Sequence, residues 1–109
     1  MVTTFVIVLT TLPVEHDAPA FARTLVEEGL VACVNLLPPM QSVYRWQGRV
    51  ENADERQVVM KTTSARVPDL ERRLRQLHPY DVPEFLVLPV DGGSDAYLAW
   101  VRDSTEQRA

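Results

Sequence analysis

The sequence has little of what redox, membrane and nucleic-acid-binding classes require. Cys33 is its only cysteine, so no internal disulfide can form and nothing argues for an oxidising compartment. Lys and Arg number 11 against 15 Asp and Glu, and no basic run alternates with aromatics, so nucleic acid is not an expected partner. The apolar run at 5–9 is too short to cross a membrane, and no positive segment precedes Glu15, so we predict a cytoplasmic protein.

Motifs of common catalytic sites are also missing. The sequence has no Gly-rich phosphate loop, no G-x-S-x-G elbow, and neither C-x-x-C nor H-x-x-x-H spacing. We therefore do not expect an enzyme or an organic cofactor. Apolar content of 46% and charged content of 24% are ordinary for one globular domain, which we place at residues 1–104, followed by a short polar tail at 105–109.

The first half of the chain predicts a strand, a helix and a long hairpin. The apolar run at 5–9 is typical of an interior strand. A helix follows, with Asp17 as N-cap and Gly29 as its stop. Its buried stripe is predicted from three- and four-residue spacing to be Val14, Ala18, Phe21, Ala22, Leu25 and Val26. Residues 31–63 then predict an antiparallel hairpin turning at Gly48, with a returning strand in two pieces, 49–51 and 57–63.

The second half predicts a second helix, a strand and a third helix. The second helix has Pro68 in its first turn and ends before Pro79, a strand covers 85–90, and Ser94 caps the last helix. The tail from Thr105 is expected to fray. The order βαββαβ plus a terminal helix predicts an α+β, ferredoxin-like sandwich, with helices on one face of an antiparallel sheet. The uncovered face and a projecting hairpin favour a closed oligomer.

The segment at 78–84 is the densest in chemistry, since His78, Tyr80, Asp81 and Glu84 lie among two prolines. Two interpretations stay open. The segment is a presented ligand or metal site, or it is a stiff junction that ends a helix and begins a strand. His78 is accordingly either a hydrogen-bonded structural histidine or a ligand.

Three further features allow a structural and a functional interpretation. Cys33 lies in a predicted strand, where an inert buried thiol is favoured over a copper or zinc ligand. Lys61 is also embedded in a strand, and it either pairs with Glu84 or Glu55 or helps to line a cleft for a small ligand. Tyr44 and Trp46 alternate on one face of the hairpin, with Arg45 on the other, as anchors for contact with another chain do.

Four motifs occur in a fixed order: ACVN at 32–35, YRWQG at 44–48, KTT at 61–63 and HPYDVPE at 78–84. With them, the chain resembles the CutA divalent-cation tolerance family from about Thr3 to Ser104. The resemblance implies a ferredoxin-like fold related to the PII signalling proteins and a homotrimer. It also implies a role in the response to copper and other divalent metal ions.

The resemblance leads to a leading hypothesis for the site. A divalent cation such as copper is bound at or between subunits by Cys33, His78 and Glu84. An intersubunit cleft is lined by Tyr44, Trp46, Glu55, Lys61, Tyr80 and Asp81. The alternatives are a PII-like module that binds an anionic metabolite, with positive potential from Lys61, Arg49 and the helix start at Ser94, and a trimeric scaffold without a ligand.

Overall fold

A five-stranded antiparallel sheet, with the first two helices of the chain packed on one face, forms the centre of the molecule. The computed structural model describes residues 4–106. Its strands are β1 (Phe5–Pro13), β2 (Cys33–Leu36), β3 (Met40–Trp46), β4 (Arg49–Thr63) and β5 (Leu86–Pro89). Its α-helices are α1 (Ala18–Glu27), α2 (Val67–Leu77) and α3 (Asp95–Thr105), and a short 3₁₀ turn (Ser64–Arg66) leads into α2.

The sheet has the predicted ferredoxin-like topology. Its strand order is β2-β4-β1-β5, with β3 pairing along the remaining length of β4. Since β2 and β3 act as two halves of one bent strand, the order is that of a βαββαβ unit. Phe21 and Leu25 of α1 and Leu74 of α2 pack in one core cluster with Val8 and Met60 of the sheet. The α+β class is therefore confirmed.

The ends of α1 follow from local chemistry, but its apolar stripe is narrower than predicted. The Asp17 side chain accepts a hydrogen bond from the Ala20 N–H at 3.1 Å, and Gly29 follows the helix at φ +71°. The helix begins only at Ala18, so assigning Val14 to it was wrong: the Val14 N–H extends the β1 pairing by donating to the Asp54 carbonyl. Val26 is 42% exposed, because the helix presents Phe21 and Leu25 to the sheet instead.

The hairpin projects beyond the core, as predicted. Gln47 and Gly48 form its two-residue turn with φ values of 49° and 78°, which matches the twist of paired strands. The predicted break in the returning strand is wrong, because β4 runs unbroken for 15 residues and its first half pairs with β3 alone. The molecule is 45 Å long against 26 and 23 Å in its other dimensions.

The sheet face opposite α1 and α2 is open to solvent at β5. Leu86 and Leu88 of β5 are 53% and 45% exposed there, beside Leu9 and Ile7 of β1. At the C-terminus, Thr105 is buried and its hydroxyl donates to the Val101 carbonyl, so fraying is wrong at that residue. The rest of the predicted tail, from residue 107, lies outside the described residues. No helix within residues 4–106 is long and apolar enough to span a bilayer.

Candidate functional site

The segment at 78–85 joins α2 to β5 and is a junction, as one of the two interpretations holds. The His78 N–H still closes the helix by donating to the Leu74 carbonyl at 2.9 Å, while its own backbone is extended at φ −84° and ψ 139°. Pro79 enforces this change, since the residue before a proline avoids helical geometry. The chain therefore leaves the helix at His78 and crosses toward the hairpin.

His78 is buried, and both of its ring nitrogens are engaged. Nε2 lies 2.6 Å from the Thr11 carbonyl, which can only accept, and Nδ1 accepts the Tyr80 N–H at 3.1 Å. The ring is therefore neutral with its proton on Nε2. Burial lowers the pKa of His78, and the hydrogen bond to Thr11 only partly opposes that effect. Its first role is structural, because no lone pair is left for a metal ion.

Glu55 lies on β4 beside this junction and is only 6% exposed. Its Oε2 accepts the Tyr80 hydroxyl at 2.8 Å and the Thr11 hydroxyl at 3.4 Å. Burial, followed by the hydrogen bond to Glu55, raises the pKa of Tyr80 well above its ordinary value. The Tyr80 phenol therefore remains a hydrogen-bond donor and holds the carboxylate in place.

Glu84 is held by a residue that sequence reasoning missed. Gln57 Nε2 donates to Glu84 Oε2 and to the Thr10 carbonyl, each at 2.8 Å. Gln57 stands two positions after Glu55 on β4 and so shares its face of the sheet. The available sequence signal for Gln57 was that it alternates with Glu55 just before the apolar part of β4.

These groups open into one cavity of about 640 Å³ between the hairpin and the junction. Its lining comprises Thr11, Met40, Ser42, Val43, Tyr44, Trp46, Glu55, Gln57, Tyr80, Asp81, Val82 and Glu84. Five of the six residues predicted to line a cleft are among them, and Lys61 is not. Every charged residue of this lining is acidic, so the described residues offer no support for an anionic ligand.

Cys33 and Lys61 lie elsewhere on the sheet. Cys33 of β2 is opposite Lys61 of β4, which is in turn opposite Ile7, on the face opposite α1 and α2. Lys61 is four residues beyond Gln57, which places the pair about 13 Å from the acidic cavity along the strand. Cys33 is half-buried rather than buried, and its thiol makes one weak contact of 3.9 Å with Asn35.

One copy of the chain therefore does not bring the predicted metal ligands together. Cys33 is separated from Glu84 by the length of a strand segment, and the His78 ring is already hydrogen-bonded on both sides. Among residues 4–106, no group of three or more His, Cys, Asp or Glu side chains is arranged to hold a metal ion. A ligand set built on these side chains therefore needs further groups, such as backbone carbonyls, water or residues of another copy.

The chain is a small ferredoxin-like protein, as its sheet topology shows, with a projecting hairpin and an acidic cavity at the base of that hairpin. The family model described as "CutA1 divalent ion tolerance protein" matches residues 6–104. The chain belongs to this family.

Individual relatives agree with that assignment. The divalent-cation tolerance protein CutA of Thermus thermophilus is 46% identical over 99 residues, which are 91% of this chain and 96% of the relative. Protein CutA of Homo sapiens is 46% identical over 96 residues, and the match spans 88% of this chain but only 54% of the human protein. Among solved structures, CutA1 from Oryza sativa superposes with a TM-score of 0.91 at 34% identity, covering 96% of each chain. The T. thermophilus Cut A1 structure has a TM-score of 0.89 at 46% identity, covering 93% of this chain and 98% of that one.

Proposed function

We propose that this protein is a non-catalytic, cytoplasmic homotrimer that takes part in the response to divalent cations and binds such a cation directly. The observation that carries the proposal is the acidic cavity, in which Glu55, Asp81 and Glu84 are the only charged lining residues among those at 4–106. Negative charge in a concave site attracts cations and repels anions. Family membership supplies the link to divalent-cation tolerance.

The donor chemistry of the cavity favours a hard cation. Carboxylate oxygens suit Mg²⁺, Ca²⁺ and Mn²⁺, whereas thiolate and imidazole suit copper and zinc. Glu84 is the best-placed ligand of this chain, since Gln57 holds it by Oε2 and it lies at the cavity wall. Copper at Cys33 would be a separate site, and the ammonium group of Lys61 on the adjacent strand opposes a cation there.

An assembly of several copies would complete such a site. The exposed leucines Leu86 and Leu88 and the projecting β3–β4 hairpin are surfaces that another copy can cover. The trimeric state itself is proposed from the family resemblance. Light scattering on the purified protein tests it, and a mass of one chain at working concentration would contradict it.

Isothermal titration of Mn²⁺ and of Cu²⁺ into chelator-treated protein tests direct cation binding. We expect saturable Mn²⁺ binding that Glu84→Gln weakens and Cys33→Ser leaves unchanged. Copper binding that disappears in Cys33→Ser and survives in Glu84→Gln would show that the cation binds at Cys33 on β2 instead of in the cavity. No saturable binding of either ion would overturn the proposal.

A further inference from the structure

The cavity combines carboxylates with aromatic rings, which a metal site does not need. Its volume of about 640 Å³ lies in the range of small-molecule sites rather than of single ions. The aromatic lining residues are Tyr44, Trp46 and Tyr80, and the charged ones are Glu55, Asp81 and Glu84. Among residues 4–106, no lysine, arginine or histidine contributes to the wall. The only ligand charge that suits this lining is positive.

Glu55 provides an independent sign of a ligand. Its side chain is more than nine-tenths buried, at 6% exposure, and it lines the cavity. Both of its donors, the hydroxyls of Tyr80 and Thr11, reach the same oxygen, Oε2. Within the described part of the chain no donor reaches Oε1. Oε1 is therefore available to a ligand, and a cationic N–H or N–CH₃ group in the cavity would pair with the negative charge of the carboxylate.

The aromatic rings determine which kind of cation fits. Tyr44 and Trp46 stand two positions apart on β3, so their rings lie on the same face of the sheet as Glu55 and Gln57, and Tyr44 is the nearer of the two to Glu55. They are 43% and 48% exposed in one copy of the chain. Tyrosine and tryptophan faces attract alkylated ammonium groups through the ring quadrupole, whereas a hydrated metal ion is bound by oxygen ligands.

We propose that this cavity binds a small organic ammonium ion, with the charge neutralised by Glu55 and Glu84 and the alkyl groups packed on Tyr44. This ligand class goes beyond the divalent cation, because it depends on the aromatic residues and not on a complete metal coordination shell. Both ligands use the same carboxylates, so they compete for the cavity.

Choline is a suitable probe, and its neutral analogue dimethylbutanol, in which carbon replaces the quaternary nitrogen, is the matched control. Both are titrated calorimetrically into the native assembly in the presence of EDTA. We expect saturable choline binding in the millimolar range or tighter, and binding of the neutral analogue at least about tenfold weaker. Tyr44→Leu should weaken choline binding about three- to thirtyfold.

Two carboxylate variants and one control complete the design. Glu55→Gln and Glu84→Gln should each weaken choline binding at least about tenfold, and either suffices if the other fails to fold. Glu71→Gln removes an exposed carboxylate on α2, outside the cavity, and should leave the affinity unchanged.

Absence of saturation, equal affinity for the neutral analogue, or unchanged choline affinity in Tyr44→Leu would each overturn the proposal. Mn²⁺ titration of Tyr44→Leu without EDTA separates the two functions. Intact Mn²⁺ binding with no choline binding to the wild type refutes the ammonium site alone, and the reverse result refutes the metal site alone.

Discussion

The His78→Leu substitution tests whether the junction is held by its histidine. Leucine keeps apolar bulk beside Phe21, whose ring lies 6.4 Å from the imidazole, but removes both hydrogen bonds of the ring. The bond to the Thr11 carbonyl is buried, and leaving that acceptor unpaired costs about 1–3 kcal/mol. The bond from the Tyr80 N–H is partly buried and contributes about 0.5–1.5 kcal/mol. We therefore expect the free energy of unfolding to fall by about 1.5–4.5 kcal/mol.

Urea unfolding at one fixed chain concentration measures this loss, because stability depends on concentration if the chains assemble. His16→Leu is the matched control. His16 also contacts Phe21 edge-on, at 6.3 Å, but its ring makes no hydrogen bond to other described residues, so its loss should cost less than about 1 kcal/mol. If His78→Leu loses no more stability than His16→Leu, the two hydrogen bonds do not hold the junction.

Three other substitutions or conditions have expected outcomes. Because burial lowers the pKa of His78 below its ordinary 6.5, the folded state binds fewer protons there. The contribution of His78 to the free energy of unfolding is therefore complete above pH 6.5 and is lost as the pH falls toward the lowered pKa. The loss is at most about 1.4 kcal/mol per pH unit and is measured by urea unfolding at several pH values; His78→Leu should lack this pH dependence. Gly48→Ala should lower the free energy of unfolding by about 1–2 kcal/mol, because φ is +78° at this residue although an added Cβ would meet no atom within 4 Å. Gly92 is equally unobstructed but has no positive φ, so Gly92→Ala should be near neutral in the same urea unfolding experiment. Leu25→Ala should cost about 2–5 kcal/mol and Val26→Ala less than about 1, because Leu25 is fully buried and Val26 is 42% exposed; equal losses in thermal unfolding would contradict this assignment of the α1 face.

The parts of the fold that were predictable are those encoded by neighbouring residues. Asp17 caps α1, Gly48 turns the hairpin and Ser94 caps α3 by contacts within three residues, so the sequence pattern was sufficient. The break expected in β4 was wrong because its polar residues are paired by β3, and pairing does not require apolar side chains. Val26 was misassigned because spacing alone does not say where a helix stripe ends.

Part of the cavity lining was predictable from the sequence, whereas the arrangement of the residues was not. Five of the residues predicted to line a cleft do line one cavity, because the resemblance to a family indicated the segments in which they lie. Cys33 and Lys61 lie on another part of the sheet because strand register decides which residues are neighbours, and the β2–β4 register pairs residues 22 to 28 positions apart in the sequence. Gln57 went unnoticed because a single amide in a strand carries meaning only when its partners, Glu84 and the Thr10 carbonyl, are known.

The hydrogen bonds around His78 form a closed cycle that links core stability to the cavity. His78 donates to the Thr11 carbonyl, the Thr11 and Tyr80 hydroxyls donate to Glu55, and the Tyr80 N–H returns to His78. Removing His78 therefore releases Tyr80 and Thr11 and with them the Glu55 carboxylate, although the ring touches no cation. Loss of cation binding in a His78 variant would thus not identify a ligand. Glu84 lies outside the cycle and is held by Gln57, so Glu84→Gln is the substitution that separates coordination from positioning.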